Sequence, residues 1–167
     1  MGYANLQQCI RDLEHSGQLI RIREPIDANL EAAEIHRRVY AAGGPALLFD
    51  NVVDCRFPMA SNLFGTMDRA RYIFRDALKH VELLINLKKD PTTLLRSPLK
   101  APGVAGTLLS MRPALRRSGP VMKNETSISQ LPQLKCWPND GGAFVALPQV
   151  YAEHPDRPGY VNSNLGM

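Results

Sequence analysis

Between Ser97 and Thr126 the periodicity that orders the preceding residues gives way to Pro98, Pro102, Gly103, Pro113, Gly119 and Pro120. Proline lacks a backbone donor and fixes φ, and glycine loses more freedom on ordering than any other residue. A run rich in both reads as a break between two folding units. The expected organisation is an α/β unit over residues 1–112, a basic Pro/Gly-rich linker over 113–127, and a unit of proline-broken β-strands over 128–167.

Before the break, local signals agree with one another. Asn5 can cap a helix whose apolar positions Leu6, Cys9, Ile10 and Leu13 follow the helical repeat, and Gly17 can end it. Leu19–Ile22 reads as a strand. Asn29 is placed to cap a second helix with Ala32, Ile35, Val39 and Ala42 on one face, and Gly43-Gly44-Pro45 stops it before the apolar strand Ala46–Phe49. Pro58–Leu63 reads as a further strand. From a Thr66 cap, Ala70, Ile73, Phe74, Ala77, Val81, Leu84 and Ile85 form the longest helical stripe, with Lys88 and Lys89 near its C-terminal dipole. Asp90-Pro91 can restart a short helix, with Asp as cap and Pro in the first turn. Within the break, Leu108, Leu109 and Met111 suggest a helical turn. After it, Gln130–Cys136 and Ala143–Leu147 are strand candidates joined by the turn Pro138–Gly142, and Tyr160-Val161 reads as a strand entering the polar Asn162-Ser163-Asn164.

Composition narrows the class. With 44% hydrophobic and 22% charged residues the chain is globular rather than disordered. Cys9, Cys55 and Cys136 are odd in number and in no metal-ligand spacing, which points to reduced thiols and a cytoplasmic protein. No apolar run reaches the roughly 18 residues of a membrane span, and the first residues lack a signal peptide's pattern. The net charge is +4, yet Arg96, Lys100, Arg112, Arg116, Arg117 and Lys123 alone contribute six positive charges in a stretch without acids. These could track phosphates, but the stretch has no aromatic residue on which a base could stack, so nucleic acid is not an expected partner. A solvated linker, or a surface meeting another part of the protein or another subunit, is the preferred reading.

Motif searches exclude more than they include. No His-Glu-x-x-His, Gly-x-Ser-x-Gly or Gly-x-x-x-x-Gly-Lys pattern occurs, which removes the usual support for zinc hydrolases, serine hydrolases and nucleotide kinases. Glu34 and His36 sit two apart on a helix and point to different sides, as two solvated side chains would. Asn162 and Asn164, taken by themselves, fit a polar turn closing a strand. Trp137 beside Asp140-Gly141-Gly142 fits a core aromatic next to a glycine turn.

Several blocks in order resemble the UbiD decarboxylases. They are Asp12-Leu13-Glu14, Gly17–Ile22, Ile35–Arg38, Gly44–Phe49, Asn62-Leu63-Phe64-Gly65-Thr66, Leu131-Pro132, Cys136-Trp137-Pro138-x-Asp140-Gly141-Gly142 and Asn162-Ser163-Asn164-Leu165-Gly166. The resemblance implies a small N-terminal α/β domain followed by the first strands of a flavin-reductase-like split β-barrel. It implies a non-oxidative, reversible carboxy-lyase for aromatic or α,β-unsaturated acids, such as a 4-hydroxybenzoate in ubiquinone biosynthesis. The cofactor would be prenylated FMN, its phosphate joined to the protein through Mn²⁺ or Mg²⁺, with K⁺ as a further candidate. Asn164 matches the asparagine metal ligand of the family's Asn-Leu-Gly motif, and Met167 the first residue of the adjoining cofactor-lining segment. The resemblance also implies a homo-oligomer and allows peripheral association with a membrane.

The family's arginine, its remaining metal ligands and its carboxylate acid/base network have no match in these residues, so no catalytic residue is assigned. The ending Leu165-Gly166-Met167 lacks a polar, fraying tail and reads as a chain cut inside a domain. The expectation is an N-terminal portion that is inactive alone. The alternatives are a stand-alone structural or partner-binding module and, less well supported, a basic nucleic-acid binder.

Overall fold

A computed structural model describes residues 2–90, 92, 101–110, 117–147 and 149–166. Its first part is an α/β unit built on a three-stranded sheet. Helix α1 (Leu6–His15) begins at Asn5, whose side chain accepts from the Gln8 N–H at 2.9 Å, and ends before Gly17, which takes the left-handed φ of 70° that a chain reversal there requires. Strand β1 (Leu19–Ile22) follows, then helix α2 (Glu31–Ala41) and strand β2 (Ala46–Phe49). β2 pairs parallel to β1 in the register Leu19 to Ala46 through Ile22 to Phe49, and antiparallel to β3 (Met59–Ser61) on its other edge.

The central strand decides the packing. Successive side chains of a strand point to opposite faces, and all four residues of β2 are buried. Ala46 and Leu48 join Cys9, Ile10, Leu13, Leu19 and Ile73 on one face. Leu47 and Phe49 join Ile26, Ala28, Ala32 and Val52 on the other. The sheet is therefore covered on both sides, which is what a parallel pair needs.

Two helix readings are corrected by the structure. Asn29 does not cap α2: its N-cap is Leu30, at φ 72° and without a side-chain cap, because the backbone of residues 28–30 bridges to Lys135. The stripe after the Thr66 cap is two helices, α3 (Met67–Ile73) and α4 (Arg75–Lys89), broken at Phe74, whose ring stacks on Phe64 at 5.8 Å. The cap itself holds, with Thr66 Oγ1 accepting from Arg69 N–H at 3.3 Å.

The proline- and glycine-rich stretch contains helix α5 (Ala101–Ser110). Pro102 falls in its first turn, where a missing N–H costs nothing. Thr107 faces α4, its hydroxyl donating to the Gly103 carbonyl at 2.8 Å and lying 2.9 Å from His80 Nδ1, while Leu108 and Leu109 remain exposed. The helix expected after Asp90-Pro91 and the position of Met111 lie outside the described residues.

The loop Asn62–Thr66 shows how tightly the unit is closed. Asn62 is buried at φ 56°, and its Nδ2 donates to the Pro45 and Gly44 carbonyls at 2.8 and 3.3 Å. A Cβ on Gly65 would sit 1.8 Å from Asn62 Oδ1 and 2.6 Å from its Cγ. Gly65→Ala is therefore expected to lower stability by about 1–3 kcal/mol, the cost of forcing a packed side chain aside. Urea denaturation of the two proteins measures it, and equal midpoints would show that the loop yields freely.

After the break the strands expected at Gln130–Cys136 and Ala143–Leu147 do not form. Ile128–Gln130 is a short 3₁₀ turn, Lys135 makes a single bridge to Asn29, and residues 143–145 are irregular. Strands need a partner to satisfy alternate backbone groups, and this stretch finds one at a single position. The regular pair is β4 (Val150–Glu153) with β5 (Ser163–Gly166), antiparallel, with Ala152 opposite Asn164. Tyr160–Asn162 is a 3₁₀ turn rather than a strand, and the strand starts at Ser163.

Candidate functional site

Asn164 lies in β5 with its backbone paired to β4, so the hairpin fixes which way its side chain leaves the sheet. By the pleat, Val150, Ala152 and Gly166 share its face, while Tyr151, Glu153, Ser163 and Leu165 share the other. Its neighbours are small. A Cβ added to Gly166 would first meet Asn164 Nδ2, at 3.8 Å. Asn164 is exposed, and among the described residues its amide makes no hydrogen bond, so its oxygen is available to an incoming group.

An amide oxygen is a hard, neutral donor of the kind Mn²⁺ and Mg²⁺ accept. Asn164 thus fits a metal as one donor. Among the described residues no group of three or more His, Cys, Asp or Glu could complete a coordination shell. His154, at the end of β4, accepts the Asp156 N–H on Nδ1 at 3.1 Å, so that nitrogen is already engaged. Asn162 stands in the turn before β5, with its N–H on the Gly159 carbonyl at 3.0 Å and its own carbonyl on the His154 N–H at 3.3 Å. Met167 lies outside the described residues.

Other polar groupings are structural ties. Arg75 donates to Asp12 Oδ2 at 2.8 Å and to the Tyr3 hydroxyl at 2.7 Å, and its guanidinium lies over the Tyr72 ring at 4.2 Å. The Tyr3 hydroxyl donates to Asp12. That bond, with Arg75, holds the Asp12 carboxyl below its usual range, while burial and Asp12 push Tyr3 up to about 12. Every member has its partner, and the cluster joins residue 3 to α1 and α4. His36 Nδ1 lies 2.8 Å from Ser61 Oγ, tying α2 to β3, while Glu34 turns outward to Arg37 and Arg38, so the two residues serve separate purposes. His36 stacks on Tyr40 at 6.2 Å, and among the described residues no third group hydrogen-bonds it toward Ser61 as a nucleophile's base would require.

Two further readings change. Trp137 is 64% exposed rather than a core aromatic. Its N–H and that of Cys136 converge on Asp140 Oδ2 at 2.9 and 3.1 Å, so Asp140 shapes the glycine turn. Of the basic segment, Arg117 and Lys123 are described and exposed, and Arg96, Lys100, Arg112 and Arg116 lie outside the described residues. The buried Arg69 was not singled out by sequence reasoning. Its position three residues into a short helix is ordinary, and only the carbonyls brought to it by the fold mark it.

The fold is thus a small α/β unit followed by an antiparallel hairpin that presents the exposed Asn164 amide. Residues 10–88 match the 3-octaprenyl-4-hydroxybenzoate carboxy-lyase N-terminal domain, and residues 112–167 match the Rift-related domain of the same carboxy-lyase. A Chlamydia pneumoniae protein whose name makes it part of a 4-hydroxybenzoate decarboxylase is 39% identical over 153 residues, 90% of this chain and 26% of its own length. An uncharacterized protein of Chlamydia trachomatis is 39% identical over 170 residues, 98% of this chain and 28% of its own. One from Aquifex aeolicus is 34% identical over 164 residues, 92% of this chain and 34% of its own. The chain belongs to the UbiD family of carboxy-lyases, which generally uses prenylated FMN, and it spans 26–29% of the length of the chlamydial relatives it matches.

Proposed function

We propose that this chain supplies the N-terminal α/β unit and a metal-donor hairpin of a non-oxidative carboxy-lyase acting on aromatic or α,β-unsaturated acids, with a 4-hydroxybenzoate of ubiquinone biosynthesis as the leading substrate class. The observation that carries the reading is the free amide of Asn164 on β5, inside the segment that matches the Rift-related domain. Asn164 would hold Mn²⁺ or Mg²⁺, which in turn would hold the phosphate of prenylated FMN, with K⁺ as a further candidate ion. That flavin supplies the decarboxylation chemistry when bound. Met167 would adjoin it. The three free cysteines suit a cytoplasmic setting, and among the described residues no helix is long and apolar enough to cross a membrane. A homo-oligomer and peripheral membrane contact go with the family reading, and nucleic acid does not.

What the hairpin offers is a position for a cation. Removing CO₂ also needs a group that binds the substrate carboxylate and one that returns a proton. On the family reading neither role is assigned to a residue of this chain. The 167-residue chain given prenylated FMN and Mn²⁺ is therefore expected to release no CO₂ from 4-hydroxybenzoate or cinnamate-type acids above a buffer control. Manometry or product chromatography checks this, and turnover that survives repurification would overturn it.

A second reading is a partner-binding module with no reaction of its own. The observation favouring it is a largely apolar groove of about 230 Å³ along α3 and α4, lined by Met67, Ala70, Phe74, Ala77, Leu78 and Val81 with Arg71 beside them.

A further inference from the structure

Backbone and side-chain bonds tie residues 126–144 to the α/β unit at several independent points. The Lys135 N–H donates to the Ala28 carbonyl at 3.1 Å, and the Leu30 N–H donates to the Lys135 carbonyl at 2.9 Å, so the strand-like bridge straddles Asn29. Leu134 packs against the cluster of Ile26, Ala28, Ala32, Leu47, Phe49 and Val52. Arg56 donates to Gln130 Oε1 at 3.1 Å and reaches Thr126 Oγ1 at 3.4 Å, and the Cys55 thiol donates to the Gln130 carbonyl at 3.3 Å. Phe144 N–H returns to the Leu134 carbonyl at 3.0 Å, closing the segment on itself.

The geometry points to a strap: residues 126–144 fold as part of the N-terminal unit, held in the groove between the loop 28–30 and Cys55-Arg56, and the true division of the chain falls between Phe144 and β4. This moves the boundary past the Pro/Gly-rich break and past the start of the Rift-related match. It also accounts for Leu30. A leucine at φ 72° is strained, and such a conformation persists only where the surroundings over-determine it. Here the bonds of Ala28 and Leu30 to Lys135 hold the loop on both sides of Asn29, and α2 starts at the next residue. The strap thus sets the beginning of α2 at one end and, shortly after Phe144, the place where the hairpin carrying Asn164 begins.

Hydrogen exchange on the whole 167-residue chain tests this, with Leu134→Ala as the variant. In the wild type the amides of Leu30, Lys135 and Phe144 should exchange at rates comparable with those of β2, and the amides of β4 and β5 faster. In Leu134→Ala, exchange at Leu30 and Lys135 should speed up by about ten-fold or more as the strap opens locally. The proposal is overturned if Lys135 and Phe144 exchange with the hairpin in the wild type, or if Leu134→Ala leaves Leu30 unchanged. Protection of the strap seen only in a concentration-dependent dimer would equally overturn it, since the strap would then be exchanged between copies. Should the variant fail to fold, the wild-type rates alone decide.

Discussion

Replacing Arg69 with methionine is expected to lower the melting temperature of the chain by roughly 6–12 °C, the response of a chain of this size to a loss of about 3 kcal/mol. Arg69 is only 4% exposed. Its Nε donates to the Leu63 carbonyl at 3.1 Å, Nη1 to Gly44 at 3.0 Å and Nη2 to Asn62 at 2.7 Å. All three acceptors are neutral, and burial draws the guanidinium pKa down, which is the desolvation that these bonds must offset. Methionine preserves much of the bulk but takes away the donor to the Leu63 carbonyl, while Gly44 keeps Asn62 Nδ2 and Asn62 keeps the Gly65 N–H, so the loss is about 1–3 kcal/mol in all. The three carbonyls belong to the Gly44 turn before β2 and the Asn62–Thr66 loop after β3, so one side chain ties together the two segments that meet at the start of β2. Arg69→Lys should fall between the two, because a single ammonium cannot reproduce the planar fork. Thermal unfolding followed by circular dichroism measures the shift, and a change under about 2 °C would remove Arg69 from this role.

How much of this was legible beforehand depends on whether a signal is local. The Asn5 and Thr66 caps, α1, β1 and β2 follow from neighbours in sequence, and they stand where the periodicity puts them. The break at Phe74 could not be read from the apolar stripe, which runs on through it. What ends α3 there is backbone geometry together with the stacking of Phe74 on Phe64. Leu30 in place of Asn29 as the cap of α2 depends on Lys135, more than a hundred residues away. A cap residue with the right chemistry lost to a long-range bridge.

The second half was harder for the same reason. Whether Gln130–Cys136 becomes a strand depends on a partner strand, and its actual partner is a loop of the first unit at one position. Pro102 and Gly103 read as part of a break with at most a helical turn after them, yet α5 places the proline where helices tolerate it. The candidate site was legible only through the resemblance. A lone asparagine carries little information about metals, and the pairing of β5 with β4, which leaves Asn164 on a face with Ala152 and Gly166, is a tertiary fact.

Asn164→Ala is the substitution with the largest expected effect on function. The side chain has no hydrogen bond to lose among the described residues and is exposed, so alanine should leave the fold and its melting temperature within error. On the proposed reading, what it removes is a donor to the cation that would tie down the flavin phosphate. Losing an outer partner of a metal ligand already costs 10–100-fold in affinity, and losing the ligand itself should cost about that much or more. Asn162→Ala, in the turn before the strand, should cost far less.

The direct measurement uses a chimera in which this chain replaces the matching stretch of the Chlamydia pneumoniae relative named for 4-hydroxybenzoate decarboxylase. Flavin content after gel filtration with Mn²⁺, and CO₂ release, are read for the chimera and for its Asn164→Ala and Asn162→Ala forms. The expected result is a chimera that retains prenylated FMN and turns over, an Asn162→Ala form close to it, and an Asn164→Ala form that loses flavin and activity together. A full flavin load and normal turnover in Asn164→Ala would contradict the assignment of this hairpin as a metal-holding element of a carboxy-lyase.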